Sequence, residues 1–135
     1  MAKLNLKQRI GIDLGRRVPV EEGIVWAAAN DVHFIDAQTD IAPKQLESFN
    51  DERCRQVRNL TETHGVKLGL HTLSGVNVAE ISPFCRDAVD QYLRAYIDLA
   101  GRVGAGWIVV HGGYHFPACR ELRMQASIDR LRRIA

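Results

Sequence analysis

The chain has 135 residues, 46% hydrophobic and 25% charged, a balance that suits one soluble globular domain. Its formal net charge of +2 is too small to argue for nucleic acid or an anionic membrane surface as a partner. Met1 to Ile10 holds no continuous apolar run, so no secretory signal is expected, and no stretch reaches the roughly 18 apolar residues of a membrane span. Cys54, Cys85 and Cys119, without a Cys-x-x-Cys spacing, read as free thiols, so the expected location is cytoplasmic.

The first predicted strand runs from about Arg9 to Leu14. A helix follows from about Pro19 to Asp31, with Glu21 and Glu22 where the helix dipole favours acid. The second strand covers about His33 to Ala37, and a polar loop leads to a helix from about Leu46 to His64. Gly65 is placed as its left-handed cap. The third strand is Val66 to His71. Ser82-Pro83 then supplies an N-cap followed by proline at the first helical position. Phe84, Ala88, Tyr92, Tyr96, Leu99 and Val103 mark one buried stripe of that helix, with Arg86, Asp90, Arg94 and Asp98 facing away. The fourth strand is Trp107 to His111, and the last helix opens near Pro117 or Ala118, with Met124, Ile128, Leu131 and Ala135 on one side. Arg120, Arg123, Arg130, Arg132 and Arg133 read as its solvated face.

Alternation within the strands narrows the architecture. Ile10, Ile12 and Leu14 oppose Gly11 and Asp13; Val66, Leu68 and Leu70 oppose Lys67, Gly69 and His71. One face is oily and the other mixes glycine with polar groups. A doubly wound sheet, the alternative, is apolar on both faces. A β/α barrel, with helices outside and a partly polar interior, fits better. The expected fold is therefore four β/α units spanning 1–135, the N-terminal half of a TIM-type barrel that takes roughly 250 residues, and the chain reads as truncated. Four units alone are expected to be inactive. The remaining half barrel, or a second copy, is then an expected partner.

In parallel α/β folds, active sites form beyond the carboxyl ends of the strands. His71 and His111 close two consecutive strands there, and the alternation puts Asp13, Asp36, His71 and His111 on the inner side. The two imidazoles are candidate metal ligands and catalytic groups. Asp13, Asp36 and His115, the last beyond the Gly112-Gly113 turn, are candidate substrate contacts or supports for the rings. The plainer reading of each is a hydrogen-bonded pocket residue. His33 and His64 sit away from this end and read as structural. Gly112-Gly113 and Gly15-Arg16-Arg17 match no phosphate-loop pattern and read as turns.

The run Val66-Lys67-Leu68-Gly69-Leu70-His71-Thr72 with Asn77 beyond it resembles the xylose-isomerase-like barrels. So does Leu99-Ala100-Gly101-Arg102-Val103-Gly104-Ala105, followed by Trp107-Ile108-Val109-Val110-His111-Gly112-Gly113. That superfamily includes sugar phosphate isomerases and epimerases and the endonuclease IV type of apurinic endonuclease. The resemblance implies a TIM barrel with a divalent ion (Mn, Zn, Mg or Co) at its C-terminal face and a sugar or sugar phosphate as substrate. In the endonuclease branch, histidines at the places of His71 and His111 bind zinc. Many sugar-isomerising members instead draw metal ligands from the second half of the barrel. This chain reads Thr72-Leu73-Ser74-Gly75-Val76-Asn77 where the endonucleases carry Tyr-x-x-Asn, and Gly112 where they carry proline. Both departures favour the sugar branch, a metal-dependent isomerase or epimerase moving a proton beside a carbonyl. The alternatives are a metal-dependent phosphodiesterase, which would want a basic groove, and a non-catalytic half-barrel remnant.

Overall fold

The computed structural model describes residues 9–114 and 117–135. Four strands, β1 (Gly11–Asp13), β2 (Phe34–Gln38), β3 (Lys67–His71) and β4 (Trp107–Val109), alternate with four helices, α1 (Val20–Ala29), α2 (Asp51–His64), α3 (Pro83–Val103) and α4 (Arg120–Ile134). All strands are parallel and lie in chain order, β1-β2-β3-β4. A doubly wound sheet inserts its first strand between others, so that alternative is ruled out. The four units have the layout of half a TIM barrel.

The register puts Ile12, Ile35 and Leu68 side by side, and likewise Ala37, Leu70 and Ile108. On this face Ile35, Ala37, Leu68 and Leu70 are almost wholly buried against Ile24 and Ala27 of α1, Cys54 and Val57 of α2, and Tyr96, Leu99 and Val103 of α3. Each such aliphatic side chain stabilises the fold by roughly 1.5–3 kcal/mol. The other face carries Asp13, Asp36, Gly69 and Trp107 in one row and Gln38, His71 and Val109 in the next. The predicted two-sided pattern is therefore the observed one.

The turns entering β3 and β4 use glycine. Gly65 (φ 67°) and Gly104 (φ 72°) adopt the left-handed conformation that ends α2 and α3. After α1 the same geometry falls to Asp31 (φ 58°), an aspartate being among the few other residues that tolerate it. Asn50 caps α2, its side chain accepting from the Arg53 N–H at 2.9 Å. Pro83 opens α3 as predicted, but the expected Ser82 side-chain cap does not form. Glu80 instead fixes the segment leading into the helix, its carboxylate accepting from the N–H groups of Ile81 (2.9 Å) and Ser82 (2.7 Å).

Several expectations are corrected. The edge strands are shorter than predicted: β1 begins at Gly11 and β4 ends at Val109, each having one neighbour to pair with among the described residues. Ile10, expected on the oily face, is half exposed at the entry of the edge strand. Phe84, expected in the buried stripe of α3, is 94% exposed, and Ala88 is exposed too. A helix of 21 residues is about 30 Å long, and a strand of five only about 17 Å, so the first turns of α3 overhang the sheet. In α4, Met124 and Ile128 are exposed, and the residues turned inward are Ser127 and Arg130. Ser127 Oγ donates to the Gly112 carbonyl at 3.0 Å. The buried Arg130 donates to Asp90 at 2.7 Å, to the Glu80 carbonyl at 3.0 Å and to the Val78 carbonyl. Neither Asp90 nor Arg130 thus belongs to a solvated face.

Candidate functional site

The inner face of the sheet brings His71 and His111 together. His71 is the last residue of β3; His111 lies two residues past β4, which keeps it on the same side by strand alternation. Their Nε2 atoms are 3.1 Å apart and the rings stack, with centroids 5.1 Å apart and planes 29° from parallel. Two neutral nitrogens at that distance share one proton or turn both lone pairs to a common cation.

Asp13 arrives from β1. Its Oδ1 accepts the Gly15 N–H at 2.6 Å, closing a tight turn, and its Oδ2 lies 3.5 Å from Nδ1 of His71. That ring nitrogen is buried and makes no hydrogen bond within the chain. A carboxylate facing Nδ1 favours the proton there and leaves the Nε2 lone pair free toward His111.

Asp36 is on the same face but does not join the imidazoles. Its Oδ1 accepts the indole N–H of Trp107 at 2.7 Å, directly over Gly69. A carboxylate so held braces β2 against β4 one row below the histidines. His115 lies outside the described residues. Among the described residues no cluster of three or more His, Cys, Asp or Glu converges to hold a metal by itself. The pair His71 and His111 therefore fits as part of a ligand set, with Asp13 orienting one ring, and not as a complete one.

The loops around the pair are held by groups that sequence reasoning passed over. Asp40, just past β2, accepts hydrogen bonds from the hydroxyls of Tyr92 (2.8 Å) and Tyr96 (2.6 Å) on α3. The Tyr92 hydroxyl accepts from Leu73 N–H at 2.8 Å, and that of Tyr96 accepts from Thr39 N–H at 3.2 Å. Burial, reinforced by the Asp40 carboxylate, pushes the Tyr96 phenol up to about 12 and the Tyr92 phenol higher still. The two tyrosines were legible as helix stripe; their hydroxyl partner at a sequence distance above fifty residues was not. Asn77 spans the next two loops, its Oδ1 accepting from Ala79 N–H (3.2 Å) and Tyr114 N–H (2.9 Å). Gly113 (φ 88°) packs on Asn77 too closely to leave room for a Cβ. Lys44, in the loop after β2, is fully buried and donates to the Gly15 carbonyl. Burial pushes its ammonium below the ordinary lysine range, and the Asp13 carboxylate opposes that shift.

A family model described as xylose isomerase-like TIM barrel matches residues 24–135. Among solved structures the chain is similar to D-psicose 3-epimerase from Clostridium cellulolyticum, determined with D-tagatose: TM-score 0.75 at 11% identity, over 92% of this chain and 46% of that one. It is similar to endonuclease IV from Thermus thermophilus, with TM-score 0.68 at 18% identity over 92% and 46%. A xylose isomerase domain protein from Planctomyces limnophilus gives TM-score 0.63 at 14% identity over 95% and 50%. The chain spans about half the length of the solved structures it matches. No curated protein sequence matches it. Identities this low speak to the fold alone. Among the described residues no helix is long and apolar enough to cross a membrane.

Proposed function

This chain belongs to the xylose isomerase-like TIM barrel family, and on that premise we propose that it contributes two metal ligands, His71 and His111, to a site that isomerises or epimerises a sugar or sugar phosphate. The observation that carries the reading is the approach of the two Nε2 atoms to 3.1 Å at the strand exits. A bound divalent ion would polarise a carbonyl oxygen of the sugar, and a neighbouring basic group would then move the proton beside that carbonyl. Asp13 holds His71 with its Nε2 lone pair turned inward. Asp36 and Trp107 are hydrogen-bonded to each other one row below the rings. A catalytic site of this kind usually takes three or more protein ligands, so at least one ligand beyond this pair is needed.

A phosphodiesterase of the endonuclease type is the second reading, favoured by the pairing of two histidines on consecutive strands. The small net charge supplies little of the basic groove that a DNA backbone would need.

Cobalt(II) titration followed by visible absorption tests the ligands. His71→Ala and His111→Ala should each weaken binding at least tenfold while leaving the unfolding transition cooperative. Wild-type affinity in both variants would sink the proposal. Deuterium incorporation from solvent into ketoses and ketose phosphates, against nicking of abasic DNA, separates the two activities.

A further inference from the structure

Lys44 is wholly buried, although removing an ammonium from water is costly and methionine would fill the same space. Its Nζ donates to the carbonyl of Gly15. Gly15, left-handed at φ 61°, donates its own N–H to Asp13 Oδ1 at 2.6 Å. Both polar backbone atoms of one turn residue are thus engaged, one by Lys44 and one by Asp13. The other oxygen of that carboxylate faces His71 Nδ1 at 3.5 Å.

The loop carrying Lys44 is firmly held. Asp40 is fixed by the two tyrosine hydroxyls of α3, and the Lys44 N–H donates to the Ile41 carbonyl at 2.9 Å. The Pro43 carbonyl accepts from Arg53 at 3.2 Å, and Arg53 is itself paired with Glu21 at 2.6 Å. Lys44 therefore cannot easily follow the β1 turn; the turn must conform to Lys44.

We propose that Lys44 is a positioning residue that locks the Asp13–Gly15 turn so that Asp13 keeps the proton of the neutral His71 ring on Nδ1 and the lone pair of Nε2 toward His111. This rests on reading the two histidines as a paired site, but its test needs no metal. In the metal-free chain with nitrogen-15-labelled histidine, long-range proton–nitrogen correlation spectra at about pH 8.5, well above the usual histidine pKa, report each tautomer. Wild-type His71 should be the Nδ1–H form. Lys44→Met should move it to a mixture or to the Nε2–H form, and Lys44→Gln, which keeps a side-chain N–H donor at that place, should move it less. Asp13→Asn, with Lys44 in place, should shift the tautomer as well. An Nε2–H ring in the wild type overturns the proposal. So does an unshifted tautomer in a cooperatively folded Lys44→Met variant. Should Lys44→Met fail to fold, an unshifted ring in Asp13→Asn overturns it independently. Cobalt affinity unchanged in His71→Ala and His111→Ala would defeat the metal reading and leave the tautomer result standing.

Discussion

Trp107 donates its indole N–H to Asp36 at 2.7 Å across the residue that separates them in the sheet, Gly69. The three lie in one row on β4, β2 and β3, and the bond passes where a side chain on β3 would stand. Glycine is thus required at that position by close approach and not by backbone angle. A Cβ there would displace both partners.

Gly69→Ala should therefore destabilise the chain by about 1–3 kcal/mol, the usual range for overpacking. Urea unfolding followed by tryptophan fluorescence measures it. The double variant with Trp107→Phe should cost less than the sum of the single changes, because the phenyl ring carries no N–H to be displaced. Strict additivity would show that the bridge does not explain the glycine.

Asp90 predicts an acid limb of stability. Burial pushes its carboxyl up, but the Arg130 and Arg133 guanidiniums outweigh burial and hold it below the usual carboxylate range. A carboxyl lowered in the folded state contributes stability above its unfolded pKa of about 3.9 and loses it as pH falls through the lower folded value. Glu21 and Glu80 are lowered as well, Glu21 by Arg53 against its burial and Glu80 first by the Ser82 N–H, so the sign is common to all three. Urea midpoints should fall below about pH 4, and less steeply in Asp90→Asn. At pH 7 that variant should lose about 3–5 kcal/mol, since the buried Arg130 keeps its charge without its partner. A loss within about 0.5 kcal/mol, typical of an ordinary surface change, would show that Arg130 does not depend on Asp90.

An alkaline limb follows from the tyrosines. Their phenols are raised in the folded chain, Tyr96 to about 12, so they add stability that is full below the ordinary tyrosine pKa and is lost as pH rises through the raised values. Absorbance near 295 nm should show Tyr92 and Tyr96 un-ionised at about pH 10–11, where free tyrosine titrates. Asp40→Ala should loosen both and let them ionise earlier. Titration of all three tyrosines together at the free value in the folded wild type would contradict the bridge.

Gly113→Ala should disturb the loop that follows β4. Its left-handed φ of 88° and its contacts with Ala79 and Asn77 leave no room for a methyl group. The Asn77 bond to Tyr114 N–H should be lost, and amide hydrogen exchange at Tyr114 should quicken at least tenfold. Unchanged protection at that amide would show that the loop accommodates the substitution.

The sheet was legible because its signal is local. Leu68 and Leu70 against Gly69 and His71 state which side faces the helices within one strand, and the same parity on β1 places Asp13 beside His71. Long-range polar pairing was not legible. Arg130 reads as surface in an arginine-rich helix, and only the fold brings it to Asp90 and the Val78 carbonyl, forty and fifty-two positions away. Lys44 and Asp40 lie in a polar loop whose partners are set by tertiary packing. Phe84 erred in the other direction: it keeps the period of the α3 stripe, but no element among the described residues covers it.

The two ends of the sheet differ in how much chain they use. Residues 65–66 and 104–106 suffice to lead α2 into β3 and α3 into β4, whereas 39–50, 72–82 and 110–119 link strands to helices at the histidine end. Framework and candidate site are thereby separated along the polypeptide. Drift or recombination in the long segments can alter reach and selectivity while the short glycine joints keep the strands threaded. A loop library at 73–76, which leaves Asn77 to Glu80 and the Arg130 clasp in place, is where variation can be introduced with the scaffold intact.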